Sequence, residues 1–213
     1  MSVTKRMQTI GEEIANAVSH GVGELLAIAG AVVAIVMAAI HGTAITVVSA
    51  SLYGASMILL YLFSTLYHSL TNRSAKRVFR VFDHCSIFIL IMGSYIPICL
   101  VLIGGALGWT LFGINAFCTV LGIVFNCINL ERWSKPSVEL YVIMGWSVLI
   151  GAKSVISAVD AAGIALLVGG GAAYTAGIIF YKARKKYMHF VWHIFVLAGT
   201  VLHYFFMLFY CFM

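Results

Sequence analysis

Between residues 18 and 211 the chain is a succession of apolar runs, each close to the length that a bilayer demands of a helix, separated by short polar junctions. A helix needs about 20 predominantly apolar residues to cross the hydrocarbon. Seven runs meet that requirement, at roughly 18–40, 46–70, 84–103, 107–129, 138–157, 162–181 and 189–211. The expected fold is therefore an all-α integral membrane protein, a seven-transmembrane-helix bundle. Composition agrees, because only 9% of the residues are charged, where a soluble domain typically carries about 25%. With 62% hydrophobic residues and a mean hydropathy of +1.04, the chain cannot cover itself with polar surface in water. No internal repeat, linker or low-complexity tract interrupts it, so residues 1–213 are read as a single domain.

The placement of Lys and Arg tests the count of seven and orients it. Basic residues fall at Lys5 and Arg6, then at Arg73, Lys76, Arg77 and Arg80 after the second run. They recur at Arg132 and Lys135 after the fourth run, and at Lys182, Arg184, Lys185 and Lys186 after the sixth. The junctions after the first, third and fifth runs hold none. Seven crossings put every cluster on one side, which the positive-inside rule makes cytoplasmic, with the N-terminus inside and the C-terminus outside. Membrane lipids are the expected partners. The net charge of +6 does not indicate a nucleic-acid partner, because no basic stripe interleaved with stacking aromatics is present. The polar stretch after Arg6, "MQTIGEEIANAVSH", is no signal-peptide core.

Other features read as structure. Pro97, inside the third run, should kink it. Gly169, Ala173 and Gly177, at every fourth position, should let helix backbones approach, as should Gly104 and Gly108 around the third junction. Cys85, Cys99, Cys118, Cys127 and Cys211 form no CxxC pair and read as small buried hydrophobes. Lys153 reads as a side chain snorkelling to the interface, and His41 and His84 as interfacial residues without a role.

Polar groups at membrane depth are functional-site candidates by default. In "STLYH" Ser64 and His68 share a helical face near the cytoplasmic end of the second run, and in "FDHCSIF" Asp83 stands at the same end of the third. In "HFVWH" His189 and His193 share a face at the cytoplasmic start of the seventh. Topology thus gathers His68, Asp83, His189 and His193 in one leaflet. Imidazoles at i and i+4 can reach one zinc ion, three protein ligands leave a fourth position for water, and Asp83 could orient that water or act as its base. Ser64 is placed to hydrogen-bond near by. The plain alternative is a set of interfacial histidines holding no metal, with Asp83 a helix N-terminal acid and Ser64 a packing residue. A second stripe, Asn16, His20 and Glu24, runs into the first span at four-residue spacing. It would brace the site, line an entrance, join a proton path, or simply hydrogen-bond between helices. His203 lies ten residues beyond His193, about 15 Å along a helix. It is too far to share an ion with His189 and reads as a hydrogen-bonded core histidine.

"EEIANAVSHGVGE", "STLYH", "FDHCSIF", "GSYIP" and "HFVWHIFVLAGTVLHYF", in this order from about residue 12 onward, resemble the signature segments of bacterial hemolysin III proteins. That family sits with the progestin and adipoQ receptors. The resemblance implies a seven-helix membrane protein with a cytoplasmic N-terminus, located in a bacterial cytoplasmic (inner) membrane. It further implies zinc held by His68, His189 and His193, with Asp83 reaching the ion through water. The wider group includes alkaline ceramidases, so the leading expectation is a zinc-dependent hydrolase of a lipid amide acting from the cytoplasmic leaflet, with Asp83 and Ser64 as its catalytic residues. The alternatives are a sensor or regulator of membrane state with a structural zinc, and a cytolytic, pore or transport protein using the stripe of Asn16, His20 and Glu24.

Overall fold

The computed structural model describes residues 8–213, so Lys5 and Arg6 lie outside the described residues. Every regular element among the described residues is helical, and six helices are long and apolar enough to cross a membrane. Helix α1 (Ile10–His41) starts on a capping box: the Thr9 hydroxyl accepts the Glu12 N–H, and the Glu12 carboxylate accepts the Thr9 N–H at 2.9 Å. This reciprocal satisfaction of end groups extends the helix eight residues upstream of the apolar run expected from 18. Helix α2 (Ala44–Ser69) follows a two-residue junction, Gly42 and Thr43. Helix α3 (Arg73–Pro97) opens on Asn72, whose Oδ1 accepts the N–H groups of Ser74 and Ala75. The basic segment expected as a loop is therefore the first turns of α3. It winds as a helix because Phe79 and Phe82 alternate with its cations and pack on Phe63 of α2.

At Pro97 the α-helix gives way to a π-helical segment, Ile98–Ile103. Proline has no N–H to donate, so a change in hydrogen-bond register is the local response. Gly104 and Gly105 then turn the chain with φ of +63° and +56°, a left-handed region that glycine enters without a Cβ penalty. Gly108 lies so close to the Cys99 carbonyl that a Cβ would sit 2.1 Å from the oxygen.

Helix α4 (Gly105–Trp146) continues through a 3-10 turn, Ser147–Gly151, into α5 (Ala152–Ala158), 54 residues in all. Straight, that run would measure about 81 Å, well over twice the hydrocarbon thickness of roughly 30 Å. It is broken at Asn129 (φ −162°, ψ 91°), whose Oδ1 accepts the Arg132 N–H and so caps the second arm. The arms fold back on each other. Ser137 Oγ donates to Asn126 Oδ1 at 2.8 Å, Phe125 stacks on Trp133 at 4.1 Å, and Asn115 Nδ2 donates to Ser147 Oγ at 3.0 Å. Helix α6 (Ala161–Lys182) is capped by Asp160, which accepts the Gly163 N–H and the Tyr210 hydroxyl. Helix α7 (Met188–Met207) ends in a second π segment, Leu208–Phe212.

The helices pair as α1–α2, α2–α3 and α6–α7, and α7 returns against α1 to close the bundle. The small-residue stripe on α6 differs from the one read in the sequence. The buried glycines are Gly163, Gly170 and Gly177, spaced by seven. A Cβ on Gly170 would lie 2.1 Å from His203 and one on Gly177 2.8 Å from Trp192, whereas one on Gly169 would meet Leu202 at an ordinary 3.6 Å. Residues seven apart keep one face of a straight helix nearly in register, and that is the face α7 covers. The cysteines divide: Cys85, Cys99 and Cys211 are buried as read, Cys118 is partly buried and Cys127 is exposed. Lys153 and His41 are exposed, and His84 is buried.

Gly170→Ala should lower stability by about 1–3 kcal/mol, the usual penalty for overpacking, because the His203 ring in its way is held by the Leu167 carbonyl. Gly169→Ala should change stability by less than about 0.5 kcal/mol. Thermal unfolding of the two variants in detergent distinguishes the two stripes.

Candidate metal centre

Two adjacent carboxylates at the start of α1 assemble the centre. Glu12, 2% exposed, accepts the backbone N–H of Tyr187 at 2.9 Å through Oε1. Tyr187 stands in the left-handed region (φ 62°) immediately before α7, so Glu12 pins the start of that helix to α1. Glu13 reaches the other way: its Oε2 lies 2.6 Å from His68 Nδ1 at the end of α2, and its Oε1 2.9 Å from Lys76 Nζ on α3. With α2, α3 and α7 tied to one turn of α1, the polar faces of those helices meet.

What meets there is a group of imidazoles. Ligand nitrogens of His68, His189 and His193 all lie within 4.8 Å of one another. Ring centroids are 5.2 Å apart for His68 and His189, 5.1 Å for His68 and His193, and 4.8 Å for His189 and His193. His68 and His193 are buried and His189 partly so. Two of the rings have their Nδ1 atoms engaged. A carboxylate only accepts, so the close Glu13 contact requires a proton on His68 Nδ1. His193 Nδ1 lies 3.3 Å from the Asn16 carbonyl and 3.2 Å from Ser19 Oγ, and the Ser19 hydroxyl itself donates to that carbonyl. The proton is thus on His193 Nδ1 as well, because both neighbours offer it acceptors. Each ring then carries its lone pair on Nε2, and His68 Nε2 is buried with no hydrogen-bond partner among the described residues. These three histidines can hold a metal ion.

Of the other residues singled out from the sequence, His20 is drawn in. Its ring stacks on His193 at 3.6 Å and 13° and meets Tyr61 edge-on at 5.1 Å. Asn16 is wholly buried; its Nδ2 donates to Gln8 Oε1 at 2.7 Å, and its carbonyl serves His193. Glu24 is partly buried with Oε2 shielded and unpartnered among the described residues, and it is not in the histidine group. The stripe of Asn16, His20 and Glu24 is therefore split, two members at the centre and one beyond it. Ser64, 1% exposed, has an Oγ without a partner among the described residues. Asp83 is partly buried, and its charge acts on the hydroxyls of Tyr67, Tyr141 and Tyr181. His203 lies away from the centre, its Nε2–H donating to the Leu167 carbonyl at 3.0 Å. Sequence reading assigned no role to Glu12, Glu13 or Ser19. Glu13, Asn16 and His20 are spaced i, i+3, i+7, one helical face, and that spacing was the available signal.

Beside the histidines lies a cavity of about 120 Å³ between α3, the second arm of α4, α6 and α7. Its lining is largely apolar, with Ile87, Ile91, Val142 and Ile178 among the walls, and with Tyr181, which also lines it, 6.1 Å from the His189 ring. His84 also lines it, which gives that residue a place the sequence did not suggest.

Residues 8–204 match the family model described as Haemolysin-III related. The chain belongs to that family. It is 41% identical over 209 residues to Hemolysin-3 of Bacillus cereus, covering 98% of this chain and 95% of the relative. It is 43% identical over 206 residues to the Hemolysin-3 homolog of Bacillus subtilis strain 168, covering 96% and 97%. A more distant similarity, 26% over 157 residues, covers 68% of this chain and 63% of the human Monocyte to macrophage differentiation factor. This haemolysin-III relative is thus a membrane protein whose matched region contains the whole histidine centre.

Glu12→Ala leaves the Tyr187 N–H without its acceptor and removes the Thr9 capping partner. Stability should fall by about 1–3 kcal/mol, the usual effect of losing a hydrogen bond to a charged group, read as a lower midpoint of thermal unfolding in detergent.

Proposed function

We propose that the chain crosses the membrane seven times with its N-terminus in the cytoplasm, holds zinc with His68, His189 and His193, and hydrolyses a lipid amide from the cytoplasmic leaflet. The fold-back at Asn129 supports the count, since it divides the 54-residue run into two arms of membrane-crossing length. Contacts support the orientation. Lys76 with Glu13, Arg80 with Glu131 at 3.3 Å, and Lys186 beside Tyr187 gather the basic clusters at the end that carries the histidines. The positive-inside rule assigns such an end to the cytoplasm. The bacterial relatives support a cytoplasmic membrane location.

The observation that carries the metal reading is His68 Nε2, buried and unpartnered beside two further imidazoles. Burying such a group without a partner costs about 1–3 kcal/mol, which an ion would offset. Donor nitrogens on tetrahedral zinc sit roughly 3.4 Å apart, given Zn–N distances of about 2.0–2.1 Å. Groups already within 4.8 Å need only small side-chain adjustments to reach that spacing. Three neutral nitrogen ligands suit zinc, which when bound supplies Lewis acidity and an acidified water at neutral pH. Asp83 takes the proton of the attacking water and passes it to the leaving nitrogen as the C–N bond breaks. The oxygen of that water bonds to the acyl carbon, giving a carboxylic acid and an amine. Ser64 offers its hydroxyl to the carbonyl oxygen. The apolar cavity beside His189 takes the acyl chain, which enters laterally between helices from the lipid.

Elemental analysis of the detergent-purified protein should give about one zinc per chain, lost in His68→Ala and His193→Ala. Asp83→Asn should keep the zinc and lose turnover of a ceramide or other long-chain amide by about 100-fold or more. A folded wild type that takes up no added zinc overturns the reading. Zinc binding without turnover of any amide leaves the ion as a staple between α2 and α7 in a non-enzymatic regulator.

A further inference from the structure

Glu13 touches His68 and Lys76 at once, and the two contacts do different things. Its Oε2 holds His68 Nδ1 at 2.6 Å and its Oε1 holds Lys76 Nζ at 2.9 Å. The first contact fixes both the tautomer and the ring orientation of His68, because the carboxylate accepts only from Nδ1–H and the lone pair is then left on Nε2. The second contact fixes the carboxylate. Lys76 is itself seated over the Tyr67 ring at 5.1 Å, and that ring lies 4.6 Å from His68. Lysine, carboxylate, imidazole and tyrosine close a loop across α1, α2 and α3. The carboxylate is 23% exposed and Lys76 26%, while the His68 side chain is 1% exposed, so the loop runs from the aqueous edge to the buried nitrogen.

The other polar neighbour of His68 cannot serve in place of Glu13. Asn16 Nδ2 lies 3.4 Å from the same Nδ1, but both atoms are donors once Nδ1 carries its proton. The Asn16 amide makes its shorter bond, 2.7 Å, to Gln8. His193 differs in kind, because a backbone carbonyl, that of Asn16, receives its Nδ1 proton. Of the two buried rings in the group, His68 alone depends on a side-chain carboxylate for its orientation.

We propose that Glu13, clamped by Lys76, is a positioning residue for the metal centre: it presents His68 Nε2 as a pre-oriented ligand and so sets the affinity for the ion. The inference rests on the reading that the three histidines hold zinc. Carboxylates placed behind a ligating histidine typically contribute 10–100-fold to metal affinity.

The test titrates the full chain in detergent with zinc alone against a competing chelator, alongside thermal unfolding with and without the ion. Glu13→Ala should weaken zinc binding about 10–100-fold. Glu13→Gln, which keeps an acceptor but not the charge, should fall between Ala and wild type, and Lys76→Met should show a smaller loss than Glu13→Ala. A merely structural role would lower the unfolding midpoint of the metal-free protein and leave affinity unchanged. Positioning instead shrinks the rise in midpoint that zinc gives, in step with the affinity. If Glu13→Ala does not fold, the Gln and Lys76→Met variants decide. A wild type that binds zinc together with folded variants that bind it equally well overturns this inference alone. A wild type that binds no zinc overturns both it and the reading beneath it.

Discussion

The fold turns on one turn of helix at the aqueous edge of the bundle. Glu12 and Glu13 point to opposite neighbours, one to the backbone before α7 and the other to His68 and Lys76 on α2 and α3. In hydrocarbon, apolar faces give little preference for one partner helix over another, because lipid tails are as apolar as the side chains. Directional contacts must then decide which helices are neighbours. The Glu12 bond to Tyr187 joins the first helix to the seventh across nearly the whole sequence, and bundle closure follows from it.

The rest of the packing is close contact between small residues and rings. Gly23 lies against Tyr61, Gly122 against Phe88, and Gly170 against His203. Deeper in the bundle, Tyr61 and Tyr174 both bond Thr200 Oγ1 at 2.8 Å. Buried hydroxyls at that depth have no water to turn to, so paired partners on α2, α6 and α7 bind those helices in a fixed register. The rule is not uniform: Ser49 Oγ, the Tyr53 hydroxyl and Thr119 Oγ1 are buried without partners among the described residues, as is His68 Nε2. What sets His68 Nε2 apart is that two further imidazoles stand beside it, as expected where a site is shaped for something besides the chain itself.

Much of the architecture was legible. The apolar runs gave the helices, and the alternation of basic clusters gave the sharing of one end, because both depend on local composition and on the physics of a bilayer. Boundaries were less legible. Thr9 starts α1 upstream of its apolar run, and Asn72 starts α3 in a basic segment whose charge suggested a loop, since capping and one packed face outweigh the solubility of the remaining side chains. The α6 stripe was read with a period of four when the packed glycines repeat every seven, because which face is covered depends on where α7 lies.

The sequence by itself determined that this is a helical membrane protein and that His68, His189 and His193 sit at one depth. Hydrophobic length and helical periodicity are properties of a single segment, and they need no partner to be read. Tertiary structure alone decided that Glu13 stands behind His68, that the Asn16 carbonyl receives the His193 proton, and that Glu24 stays apart from the centre. Those outcomes depend on the rotation of one helix against another. Contacts from the far ends of the chain set that rotation, and no local pattern records it.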